Sequence, residues 1–219
     1  MATNNSLNVG LSGSTGTGSF VGSTSPTLVT PALGTPSSGD LSNCTNAGDW
    51  VKISSQTASS SATIDFTGLS STYAAYFVSI SGLLPATNTV MFQARISIAS
   101  SFSSSALYSL SQQGTGASTV AGRVTSATQW NIIDSGIFGS MGNTAGQESG
   151  VRFWLMNPSA TVNPKTCAFE MDFVASSTTA SFIRGSGFYQ SNSAIDGIRF
   201  LMSSGNISTG KFTLYGLKA

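Results

Sequence analysis

Histidine is absent from the 219 residues, and charge of either sign is scarce, at 8% of the chain. Without imidazole, Ser-His and Cys-His nucleophilic pairs are excluded, as are zinc or iron sites built on histidine. Nine Lys and Arg against eight Asp and Glu leave a formal net charge of +1. That balance gives little attraction for a phosphate backbone, so nucleic acid is not expected as a partner. Long apolar runs are also missing: no stretch nears the roughly 20 residues needed to cross a bilayer, and no membrane insertion is expected. Residues 1–5 contain no basic side chain and lead into no apolar core. A secretory signal is therefore not expected, and synthesis in the cytoplasm is. The two cysteines, Cys44 and Cys167, are too far apart for a ligand-spacing motif and read as free thiols. No cofactor is implied.

What is present is small, hydroxylated and apolar. The chain has 41 Ser, 25 Thr and 24 Gly, with 40% hydrophobic residues. Low charge with that much apolar content argues for folding rather than disorder, at least from about Asp49 onward. Residues 1–48 differ in kind. Their first charge is Asp40, and isolated apolar residues (Leu7, Val9, Leu11, Phe20, Val21, Leu28, Val29, Leu33) sit among Gly, Ser and Thr. Pro26, Pro31 and Pro36 recur every five residues, which excludes a continuous helix and favours extended chain. Such a segment cannot offset an ordering cost of about 1–2 kcal/mol per residue by its own burial. It is expected to become ordered on partners, through pairing with copies of itself or along a larger assembly. A flexible linker is the alternative.

From Trp50 the apolar residues alternate with polar ones, the mark of half-buried strands. In Val90 to Ile98 the even-numbered positions are apolar while Gln93, Arg95 and Ser97 share the face expected to meet water. The same alternation marks Ile64/Phe66, Tyr76/Val78/Ile80, Val151/Phe153/Leu155, Phe169/Met171/Phe173, Ile198/Phe200/Met202 and Phe212/Leu214, so at least seven strands are expected. Turns are read at Thr67-Gly68, Pro85 to Asn88, Gln113 to Gly116, Gly139 to Gly146, Asn157-Pro158, Gly185-Ser186-Gly187 and Ser204 to Asn206. No segment carries a sustained helical period. The fold class expected is all-β: an extended N-terminal segment over 1–48, then an antiparallel, jelly-roll-like β-sandwich over 49–219.

Glu170 and Asp172 are the one close pair of carboxylates at strand spacing, about 7 Å apart on one face, inside the range of an inverting glycosidase. Because Phe169, Met171 and Phe173 take the inner face, the pair is expected to be the wet side of a sheet. The glycines at 10, 13, 16, 18 and 22 lack the Lys-Ser/Thr ending of a phosphate loop. On the strand of Val151, Phe153 and Leu155, the opposite face carries Arg152, Trp154 and Met156. That composition suits a subunit contact, or else a strand covered on both sides within one subunit. Phe188, Tyr189, Gln190 and Asn192 follow Arg184-Gly185-Ser186-Gly187 and read as a loop able to contact a receptor sugar, or as an ordinary hairpin tip.

Residues 15–45, TGTGSFVGSTSPTLVTPALGTPSSGDLSNCT, resemble a segment that recurs in tail-fibre and related appendage proteins of tailed bacteriophages. The run TSPTLVTPALGTPSSG carries the resemblance. Gly210 to Lys218 is similar to the closing strand of modules found downstream of it, and Tyr76 to Ser97 to a strand pair within them. Unlike longer fibres, this chain has no coiled-coil heptads and no long shaft. The resemblance implies a non-enzymatic virion protein: a short tail fibre, homotrimeric, docked to the tail or connector by its N-terminal segment. Phe20, Val21, Pro26, Leu28, Val29, Pro31, Leu33 and Pro36 would make the attachment. Its distal domain would bind a host-surface receptor, a glycan among the candidates, and the protein would reside in the virion tail. A capsid head fibre or decoration protein is the alternative, and a polysaccharide depolymerase a further one.

Overall fold

Period-two patterning becomes strand wherever a row of inward side chains can be buried, and in several places where the pattern is too faint to read. The computed structural model describes residues 49–115 and 119–219. In chain order the elements are β1 (Trp50–Ser61), β2 (Thr63–Thr67), β3 (Tyr73–Pro85), β4 (Phe92–Ile98), β5 (Ser101–Phe102), β6 (Tyr108–Thr115), β7 (Thr119–Ala127), β8 (Trp130–Asn131), α1 (Ser135–Phe138), β9 (Ser149–Met156), β10 (Lys165–Val174), β11 (Ala180–Tyr189), β12 (Gly197–Met202) and β13 (Ile207–Lys218). All pairings between strands are antiparallel.

The strands form an eight-stranded sheet, β1-β13-β3-β9-β10-β11-β6-β7, and a five-stranded sheet, β2-β12-β4-β5, with β8 also paired to β4. Within these lie β1-β13-β3-β9 on one side and β2-β12-β4-β8 on the other. The chain alternates between sheets in the manner of a jelly roll of two nested Greek keys. Two hairpins, β6-β7 and β10-β11, are inserted into that frame and lengthen the larger sheet beyond β9. The all-β sandwich expected over 49–219 is therefore what the described residues adopt; the extended segment expected over 1–48 lies outside them.

Every alternating set named above faces the interior: Ile64, Phe66, Val78, Ile80, Phe92, Ile96, Val151, Phe153, Phe169, Met171, Phe200 and Phe212 are all buried. Phe200 stacks on Phe92 at 5.7 Å and meets Phe153 edge-on at 5.5 Å, joining the two sheets through rings that each contribute about 1.5–3 kcal/mol of burial. Buried polar handles cross the same layer. The Trp130 indole N–H donates to the Phe188 carbonyl at 3.1 Å. The Tyr108 hydroxyl accepts from the Ile96 N–H at 3.1 Å and donates to the Ser103 carbonyl at 2.9 Å. Burial pushes that phenol up to about 12.

Three local expectations are corrected. Gly185-Ser186-Gly187 is not a turn but the middle of β11, and Gln113-Gly114 lies within β6. Added side-chain atoms at these glycines would collide: a Cβ at Gly185 would lie 2.5 Å from the Phe169 ring and 2.6 Å from the Ser111 carbonyl, and one at Gly187 2.6 Å from the Trp130 indole nitrogen. Large rings borrowed from neighbouring elements fill the inward positions that these glycines leave empty, so the strand needs no apolar alternation of its own. Third, Gln93 and Ser97 do not meet water. Both are buried, and Gln93 donates to the Asn131 side chain at 2.9 Å.

A bulge in β1 reorients the start of the described chain. Lys52 pairs with Tyr215 but Ser54 with Leu214, so Ile53 is the extra residue. Ser54 shares the inner-face register of Leu214, whereas Trp50 and Lys52 are turned to the outer face.

Candidate functional site

The outer face of the eight-stranded sheet carries two parallel lines of side chains fixed by strand register. One runs Lys52, Tyr215, Phe77, Trp154, Ala168, Ser186, Ser111 across β1, β13, β3, β9, β10, β11 and β6. The next runs Thr213, Ser79, Arg152, Glu170, Arg184, Gln113. Cross-strand neighbours on one face sit close enough for their side chains to act together.

The first line is aromatic at one end and small at the other. Phe77 stacks on Trp154 at 5.2 Å and on Tyr215 at 5.9 Å, with interplanar angles of 28° in both cases, and meets Trp50 edge-on at 6.0 Å. With Ser79, these four rings line an apolar hollow of about 410 Å³. Beyond Trp154, where the inserted hairpins continue the sheet, the side chains shrink to Ala168, Ser186, Ser111 and the bare backbone of Gly185. A trough of about 590 Å³ results, walled by Trp154 on one side and edged by Gln113, Glu170 and Arg184.

The charged groups on this face are loosely held. Arg152 stands 3.9 Å from both Glu170 and Asp172, with all three side chains at least 42% exposed. Exposed pairs at such a distance contribute little to stability, about 0–1 kcal/mol. Arg184 has no carboxylate within 4.0 Å among the described residues. Glu170, Arg184 and Gln113 thus present planar polar groups to the trough with capacity for additional partners.

Arg152, Trp154 and Met156 lie on the outer face of β9, as their alternation with Val151, Phe153 and Leu155 requires. Among the described residues nothing covers this face: Met156 is 40% exposed and Trp154 lines both hollows. Glu170 and Asp172 are on the same wet face. The loop expected at Phe188 to Asn192 divides differently. Phe188 and Tyr189 close β11, and Tyr189 points into the core, 3% exposed, its hydroxyl 2.9 Å from Ser103 Oγ. Its inward position follows from the strand's alternation, so it cannot touch a receptor. Phe188 faces out and, with Gln190, Asn192, Ser191 and Pro164, lines a third hollow of about 600 Å³. Phe20, Val21, Pro26, Leu28, Val29, Pro31, Leu33 and Pro36 lie outside the described residues.

Sequence reasoning did not bring together Trp50, Phe77 and Tyr215, nor did it find Ser111, Gln113, Arg184 and Ser186. Alternation assigns a face within one strand but not which strands are neighbours. Among the described residues no group of three or more His, Cys, Asp or Glu is arranged to hold a metal. Cys167 is buried, and burial pushes its thiol well above the ordinary range, which makes it unreactive. No protein-family model, no curated protein and no solved structure matches the chain.

Proposed function

We propose that the chain is a non-enzymatic structural protein of a bacteriophage particle: a short tail fibre whose first 48 residues dock it to the tail or connector, and whose β-sandwich is a receptor-binding head. The attachment half of this reading rests on the resemblance carried by TSPTLVTPALGTPSSG. The binding half rests on one observation, the open face on which stacked rings and loosely partnered polar groups run in adjacent lines. Such a face serves recognition: rings supply contact area at low entropic cost, and the polar line supplies orientation.

Heads of this kind act together. A homotrimer assembled through the N-terminal segment presents three faces, and several trimers on one particle turn individually weak contacts into durable attachment. The test is localisation in purified virions with gold-labelled antibody, together with native mass spectrometry of the isolated protein. Label at the tail and a trimeric mass are the expected results. Label on the capsid would reassign the protein as a head fibre or decoration protein, and its absence from stringently purified particles would end the virion reading altogether.

A further inference from the structure

The trough and the apolar hollow share one wall, Trp154, and together form a continuous strip across the sheet. We infer that this strip is a saccharide-binding site for a neutral glycan, with one pyranose unit seated in the trough against the Trp154 indole. The inference rests on the reading of the sandwich as a binding head, and it names what the head takes.

Three features select that ligand class. The trough is concave and floored by small residues, with a single aromatic wall, so a flat ring with an apolar C–H face fits against the indole where a bulky side chain would not. Its rim is planar and polar: a carboxylate, a guanidinium and an amide, groups that can each engage two adjacent hydroxyls, left with spare capacity by the 3.9 Å separation of Arg152 from Glu170. Among the side chains described around it the charge is balanced, Arg152 and Arg184 against Glu170 and Asp172, which gives a phosphate-rich or strongly acidic ligand no advantage from these groups.

The neighbouring hollow extends the site. Tyr215 and Phe77 continue the Trp154 platform across β3 to β13, two strands away and therefore roughly 10 Å along the strip. A linked second unit can stack there while the first remains in the trough. A second copy of the chain is a poorer occupant. Two such concave faces brought together would enclose both troughs as voids and take eight loosely paired charges out of water, each at a cost.

The chain supplies its own reporter. Of its three tryptophans, Trp130 is fully buried, while Trp50 and Trp154 lie on the strip. A Trp50→Phe background leaves Trp154 as the solvent-responsive fluorophore. The full chain is titrated with lactose, maltose, chitobiose and a rhamnose disaccharide, read by that fluorescence and by saturation-transfer NMR. At least one sugar is expected to bind with a Kd on the order of millimolar, with saturation strongest on C–H protons of one ring face. With native tryptophans and the NMR readout, Trp154→Ala is expected to weaken binding about tenfold or more, and Glu170→Gln and Arg184→Gln about fivefold each. Ser186→Phe, which fills the trough from an exposed strand position, should abolish it. Val162→Ala, at a 74% exposed position that lines none of the hollows, should leave it unchanged.

Unaltered thermal midpoints check that the variants are folded. No response to any of the four sugars up to about 50 mM overturns the inference. So does binding that survives Ser186→Phe, or an oligomer whose mass falls in Trp154→Ala, which would mark the strip as a contact between copies. These outcomes are independent of particle localisation: a protein absent from virions can still bind sugar here, and a genuine tail fibre can fail every titration.

Discussion

The two sheets of the sandwich treat their outward polar groups in opposite ways. On the five-stranded sheet, Arg199 grips Asp65 through both of its forks, at 2.8 and 2.6 Å, and lies 4.0 Å over the Phe102 ring. Its guanidinium is held further above its ordinary value by that bond to Asp65. Arg95 donates twice to the Gln129 side chain, at 3.1 and 2.6 Å. On the eight-stranded sheet, the equivalent groups stand 3.9 Å apart or have no carboxylate in reach among the described residues. Charge satisfied within the chain is architecture, and charge left with spare bonding capacity is available to a ligand.

This contrast breaks most completely if the interior shared by both faces is disturbed. Trp130 belongs to β8 in one sheet and bonds to Phe188 in the other, so Trp130→Ala is expected to cost about 3–5 kcal/mol in urea unfolding, with both faces lost in one transition. Alkali should act through the same layer. The Tyr108 phenol titrates near its ordinary value of 10.0 once unfolded but at about 12 when folded. The folded state therefore holds the extra proton between those values, and stability present below pH 10 falls by roughly 2–3 kcal/mol as the pH rises to 12. Tyr108→Phe should remove that limb of the profile while lowering stability at neutral pH.

Lesser effects separate the faces from each other. Asp65→Ala strands a guanidinium that is 29% exposed and should cost about 1–2 kcal/mol by thermal unfolding. Glu170→Ala removes an exposed partner at 3.9 Å and should change stability by less than about 0.5 kcal/mol. Equal losses at the two positions would erase the distinction between a satisfied face and an open one.

How much of this was legible depended on where each strand finds its apolar partners. β9 and β10 carry their own alternation, and Val151 to Leu155 and Phe169 to Phe173 were readable from that order of residues alone. β11 was not: its inward positions include Gly185 and Gly187, whose space is filled by Phe169 and Trp130 from elsewhere. A Gly-Ser-Gly triplet therefore read as a turn, and the trough built on it stayed invisible. Trp50 was hidden for another reason. The extra residue Ile53 reverses the faces of β1 at that point, a change that local patterning does not announce.

Lys165 bears on any attempt to handle the protein chemically. It is 1% exposed, its ammonium donating to the carbonyls of Ala160 and Asn163, and burial lowers its affinity for a proton. Of the four lysines, it alone is enclosed, whereas Lys52, Lys211 and Lys218 are accessible and all belong to the adjoining strands β1 and β13. Dyes or sensor matrices coupled through lysine side chains will consequently attach at one border of the sandwich, with Lys52 beside Tyr215. Coupling there crowds the aromatic end of the strip, and so does a tag at the C-terminus, because Leu217 pairs with Trp50 and the Lys218 N–H donates to the Asp49 carbonyl.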